Sequence, residues 1–140
     1  MKTKAKHIPK KLTTIVYIVL LCFSLFLVVA KWGRVFNENF NILPDAINSH
    51  VSNFAISLIF YLVVGYAWLL HGVKFRPIAI LGLAIIIANF ICETLLSFVN
   101  TIDIFDAIAG SIGVIVAFAF LFLANKFGLQ KKDKLHFPRK

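Results

Sequence analysis

LTTIVYIVLLCFSLFLVVA, from Leu12 to Ala30, holds no charged residue. Wound as a helix, this run is about 28 Å long, which matches the ~30 Å hydrocarbon core of a bilayer. The same reading repeats three times along the chain. FAISLIFYLVVGYAWLL covers Phe54 to Leu70, a third run extends from Ile78 to Val99, and a fourth from about Ile104 to Ala124. None contains Lys or Arg, and Pro9, Pro44, Pro77 and Pro138 all fall between or outside the runs. Strands of a membrane barrel would alternate apolar and polar residues, and these runs do not. The expected fold is therefore all-α, a four-helix transmembrane bundle over residues 12–125. Basic tails at 1–11 and 126–140 flank it.

Composition excludes the main alternatives. Of 140 residues 60% are apolar and 15% charged, with a mean hydropathy of +0.88. A soluble domain is nearer half apolar and a quarter charged, so a soluble enzyme, a disordered chain and a disulfide scaffold are all excluded. The net charge of +9 would suggest nucleic acid if the basic residues were spread over a surface. Instead thirteen of the fifteen lie on one side of the expected bundle: Lys2, Lys4, Lys6, Lys10 and Lys11; Lys74 and Arg76; Lys126, Lys131, Lys132, Lys134, Arg139 and Lys140. Only Lys31 and Arg34 lie on the other. The positive-inside rule then puts both termini in the cytoplasm, with the tails against anionic inner-leaflet lipids. Nucleic acid is not expected as a partner.

The first run reads as a signal anchor, because its apolar stretch exceeds the usual 7–15 residues of a cleaved signal. Cys22 and Cys92 lie inside spans, in no metal or redox spacing, and read as buried filler. Between Lys31 and Asn53 lies the longest connection, where WGRVFNENF could form a short interfacial helix.

Ionisable groups inside a membrane carry the functional information, since each costs about 2.5–3.5 kcal/mol at a helix centre on insertion scales. Five of the six acids (Glu38, Asp45, Glu93, Asp103, Asp106 and Asp133) fall on the outer side of this topology. Glu93, six residues before Val99, lies about 9 Å inside its helix end and is the one plainly below the interface. Helical spacing gathers polar and small residues into stripes. The third helix carries Gly82, Asn89, Glu93, Ser97 and Asn100. The fourth carries Asp103, Asp106, Gly110, Gly113, Ala117 and Ala124, and the second His50, Asn53, Ser57, Tyr61, Trp68 and His71. The three stripes are expected to meet in one interior, with His50, Asn53, Asn89, Glu93, Asp103 and Asp106 forming an outer pocket.

Each residue also has a plainer role open to it. Asp103 and Asp106 suit the first turn of a helix, as cap and as dipole partner. Gly110 and Gly113 suit helix packing. His50 suits a solvated interface, and Glu93 suits structural pairing. As chemistry, the cluster fits a divalent cation, an acid–base pair on a lipid-linked substrate, or a proton relay. No ligand spacing is diagnostic, so neither a metal nor a cofactor is expected. Whether the protein is an enzyme stays open.

NSHVSNFAISLIFYLVVGY, followed by ICETLLSF and NTIDIFDAIAGSIG, resembles the VanZ-like family of small membrane proteins over residues 48–120. The family pattern places a His at the opening of a helix and an intramembrane Glu with Gln three residues later. Arg-x-x-Asp-x-x-Asp follows, then Asn and Gly on the next turns. His50, Glu93, Asp103, Asp106 and Gly113 match it. Leu96, Asn100 and Gly110 stand where the family has Gln, Arg and Asn. The resemblance implies a polytopic protein of the bacterial cell envelope and inner membrane, from a family linked to glycopeptide (teicoplanin) antibiotic resistance. The expected function is an outward-facing pocket that binds a polar headgroup or envelope precursor. The alternatives are an enzyme on a lipid-linked substrate, or an assembly subunit that forms a homo-oligomer or part of a transporter.

Overall fold

The computed structural model describes residues 6–36, 44–95 and 103–131. Four α-helices carry the fold: α1 (Lys11–Phe36), α2 (Asp45–Leu70), α3 (Phe75–Leu95) and α4 (Ile104–Leu123). All four are long and apolar enough to cross a membrane, which marks the chain as a multi-pass membrane protein. A π-helical turn, Ala124–Gly128, continues α4. Two short strands, β1 (His7–Pro9) and β2 (Leu129–Lys131), pair antiparallel beside it.

Helix boundaries depart from the sequence expectation at one connection. The second helix begins at Asp45, ahead of the expected start at His50, and α1 runs on through Trp32 to Phe36. The first part of WGRVFNENF thus extends α1 and is no separate interfacial helix; residues 37–43 lie outside the described ones. No proline falls between Pro9 and Pro44; Pro44 stands at the N-cap of α2, and its carbonyl accepts from Ile47 N (3.0 Å) and Asn48 N (2.9 Å). At 26 residues each, α1 and α2 are about 39 Å long and overhang a ~30 Å core. Pro77 falls within the first turn of α3, where its missing N–H is one that has no intrahelical acceptor anyway.

The central pair is α2 and α4, with α3 laid against α4 and α1 against α2. Small residues on α4 permit the close central contact. A Cβ on Gly113 would fall on the Phe54 carbonyl oxygen, so only glycine lets the two backbones meet there. Leu58, Tyr61, Leu62, Leu69, Ile78, Val114 and Leu121 are fully buried around it. The Tyr61 hydroxyl donates to the Ile78 carbonyl at 2.9 Å, which ties α2 to the first turn of α3. On the α1 side Tyr17 stacks on Tyr66 with ring centroids 4.3 Å apart, and Leu27 packs with Val51 and Ala55. Outward faces are apolar, with Phe26, Phe60, Ile80 and Ile115 exposed. Cys22 and Cys92, expected as buried filler, lie on these exposed faces. A thiol is apolar enough to face lipid chains, so burial was not required of it.

At one end, called here the sheet end, residues 6–10 close two helices together. Every α-helix leaves its last carbonyls without intrahelical donors. Lys6 N donates to the Leu70 carbonyl (2.9 Å) and His7 Nδ1 to that of Leu69 (3.2 Å) at the end of α2. Lys10 N (2.8 Å) and Thr13 Oγ1 (3.1 Å) donate to the Gly128 carbonyl at the end of the π-turn. Between α2 and α3 the chain turns in a Schellman motif, with Gly72 N to Leu69 O and Val73 N to Trp68 O, both 3.0 Å. Its left-handed residue is Gly72, at φ 78°.

Candidate functional site

Two helix beginnings meet at the opposite end, called here the carboxylate end. Extended backbone at Asp103 lets its side chain turn back onto α4, where Oδ1 accepts from Phe105 N at 3.0 Å. Asp106 stands in the same first turn, where the positive end of the helix favours a carboxylate. The α2 overhang brings His50 to this level. Its Nδ1 lies 2.8 Å from Asp106 Oδ1 and 3.7 Å from Asp103 Oδ2. An ionised carboxylate only accepts, so Nδ1 carries the proton and donates to Asp106, which leaves Nε2 of a neutral ring as an acceptor.

One ligand atom from each of His50, Asp103 and Asp106 lies within 4.8 Å of the other two. Such a set, two carboxylates and an imidazole, has the donor types that suit a divalent cation or a ligand's ammonium group. All three are partly exposed, Asp103 most (38%) and Asp106 least (18%).

One layer deeper, Ser57 and Asn89 hydrogen-bond each other. Asn89 Nδ2 donates to Ser57 Oγ at 3.2 Å, and Ser57 Oγ donates to Asn89 Oδ1 at 3.4 Å. Gly110 packs against this pair, and a Cβ there would meet both side chains. Three polar stripes expected from the sequence therefore do touch, at Ser57, Asn89 and Gly110.

Of the six pocket candidates, the structure gathers His50, Asp103 and Asp106 and places Asn89 in the deeper layer. Glu93 is half-buried, two residues from the end of α3. Neither it nor Asn53 has a hydrogen bond or ion pair among the described residues. Ser97 and Asn100 of the same stripe, and Leu96, lie outside the described residues. Gly110 and Gly113 are buried where α4 meets its neighbours.

Sequence reasoning missed the groove that His50 helps to line. It is an apolar cavity of about 290 Å³, lined by Phe23 and Leu27 of α1, Ile47, Val51 and Phe54 of α2, and Ala109 and Ile112 of α4. His50 lines it with apolar ring atoms only, so the groove wall carries no polar surface. The apolar residues of such a groove have the same composition and spacing as a lipid-facing helix surface, so no sequence signal separates the two. The His50 ring also lies 5.9 Å from that of Phe105, a neighbour no motif indicated.

Compared with known proteins, the chain matches no family model, no curated protein and no solved structure.

Proposed function

We propose that this chain is a VanZ-like protein of the bacterial cytoplasmic membrane that binds a lipid or lipid-linked envelope precursor. The precursor's apolar chain lies in the groove between α1 and α4, and its polar headgroup meets His50, Asp103 and Asp106. One observation carries the reading: His50 hydrogen-bonds Asp106 through Nδ1 at 2.8 Å while the apolar edge of its ring lines the groove. A polar cluster at the head of an apolar slot has the form of an amphiphile. Two carboxylates favour a headgroup that carries an ammonium, through charge-assisted hydrogen bonds. The charge distribution, thirteen of fifteen basic residues on the other side, supports cytoplasmic termini and an outward-facing cluster.

A second reading rests on the 4.8 Å grouping of ligand atoms. In it, a divalent cation sits between His50, Asp103 and Asp106 and receives an anionic headgroup instead.

Native mass spectrometry of the protein from vesicles of phosphatidylethanolamine and phosphatidylcholine separates these readings. Wild type should retain the primary ammonium lipid in preference, and Asp106→Asn and His50→Leu should each remove the preference with helix content unchanged. Retention of an anionic lipid that is lost on chelation favours the cation. Equal retention by wild type and both variants, with and without chelator, refutes headgroup binding at the cluster.

A further inference from the structure

The sheet end holds a second cavity, of about 480 Å³, which the headgroup cluster does not reach. Leu12, Thr13 and Val16 of α1 form one wall. Phe120, Leu123 and Phe127, from α4 and its π-turn, form the other. Apart from Thr13, whose hydroxyl is already bonded to the Gly128 carbonyl, the polar side chain on its lining is Lys10.

Lys10 is held in place by its own backbone. Its N–H donates to the Gly128 carbonyl at 2.8 Å, and its carbonyl accepts from Thr14 N (3.1 Å) and Thr14 Oγ1 (3.3 Å). A second cation, Lys126, is the sequence neighbour of the lining Phe127 and holds its ammonium 5.1 Å from the centre of that ring. Lys10 and Lys11 also stand at the start of α1, in a first turn that has no acid. Cations are unfavourable at the positive end of a helix, and an anion is favourable there. An apolar slot thus opens near ammonium groups that pair with no carboxylate among the described residues.

We infer that this groove is a binding site for one anionic phospholipid of the bilayer, with an acyl chain between α1 and α4 and its phosphate on Lys10 and Lys126. Lys10, at the junction of strand and helix, is at interface depth, and the slot runs from it along α1 towards the bilayer centre. A phosphodiester there gains charge-assisted hydrogen bonds while its chain stays in an apolar environment. The site uses no part of the His50 cluster, so it stands or falls apart from the function proposed above.

The test is native mass spectrometry of the full chain, released from bilayers of equal phosphatidylglycerol and phosphatidylcholine. Wild type should hold one phosphatidylglycerol in preference. Lys10→Gln with Lys126→Gln should lower that preference about tenfold, the loss of one charged contact or more. Val16→Trp should evict lipid of either kind by filling the slot. Neutralising Lys134, Arg139 and Lys140 should leave the retained lipid in place. Circular dichroism and melting temperature establish that each variant is folded. The inference is overturned if wild type shows no preference, if the Lys10/Lys126 variant keeps it, or if the Lys134/Arg139/Lys140 variant alone abolishes it.

Discussion

The two grooves share one seam and differ at their heads. On α1 the lining residues Leu12, Val16, Phe23 and Leu27 fall at spacings of four, seven and four, which is a single helical face. On α4 Ala109, Ile112, Phe120, Leu123 and Phe127 recur at threes, fours and their multiples in the same way. The seam exists because α1 packs on α2 and does not close against α4. At one end it finishes on His50 beside two aspartates, and at the other on Lys10 beside Lys126. The apolar part of such a site is generic, and selectivity belongs to the few polar atoms at its mouth. The two grooves therefore end on groups of opposite charge.

The harshest way to break this comparison is to remove the surface on which both grooves rest. Gly113→Leu forces a side chain into the Phe54 backbone, which cannot rotate away as a side chain would. It should abolish a monodisperse, helical product in size-exclusion chromatography, and with it lipid retention at both proposed sites. Gly110→Ala meets only the Asn89 and Ser57 side chains, so it should fold and lose about 1–3 kcal/mol in thermal denaturation.

Next in size is the mouth at the carboxylate end. Asp106→Asn weakens the His50 hydrogen bond and removes a charge from the first turn of α4. The expected cost is about 1–2 kcal/mol, reduced from a fully buried pair because both side chains are partly exposed. Phosphatidylglycerol retention at the sheet end should not change; a parallel loss there would mean that the ends are coupled.

The finest contrast lies in two tyrosines of α2. Tyr61 donates a hydrogen bond to the Ile78 carbonyl, so Tyr61→Phe should lower stability by about 1 kcal/mol. The Tyr66 hydroxyl is buried near the Thr14 side chain but makes no hydrogen bond of ordinary geometry among the described residues. Tyr66→Phe keeps the ring stacked on Tyr17 and tilted against Phe120, and should leave the melting temperature unchanged or raise it, since the atom it removes is poorly satisfied.

Most of the bundle was legible in the sequence because a bilayer imposes a length and excludes charge. Contact between α2, α3 and α4 was legible for a different reason. In lipid an apolar residue gains little by turning inward, so polar and small residues become the markers of the interior, and Ser57, Asn89, Gly110 and Gly113, which share faces by their spacing, lie where the helices meet. The place of α1 was not legible, since its packing uses aromatic and branched residues no different from those that face lipid. Cys22 and Cys92 were misplaced on the same ground. The pairing of His50 with Asp106 was visible as convergence on one end, whereas the distance of Glu93 from any described partner was not. The π-turn and the strand pair rest on contacts between residues more than a hundred positions apart, which local patterns do not report.

That strand pair also orders the life of the molecule. Residues 7–9 are synthesised first and 129–131 after all four helices, yet they hydrogen-bond each other. Until α4 has entered the bilayer, α2 lacks its principal neighbour, and the Gly128 carbonyl that accepts from Lys10 and Thr13 does not yet exist. The junction is thus a latch that only a fully inserted chain can fasten. A protein stalled after three crossings would carry an open latch and an uncovered helix face, the features by which membrane quality control could tell unfinished from finished.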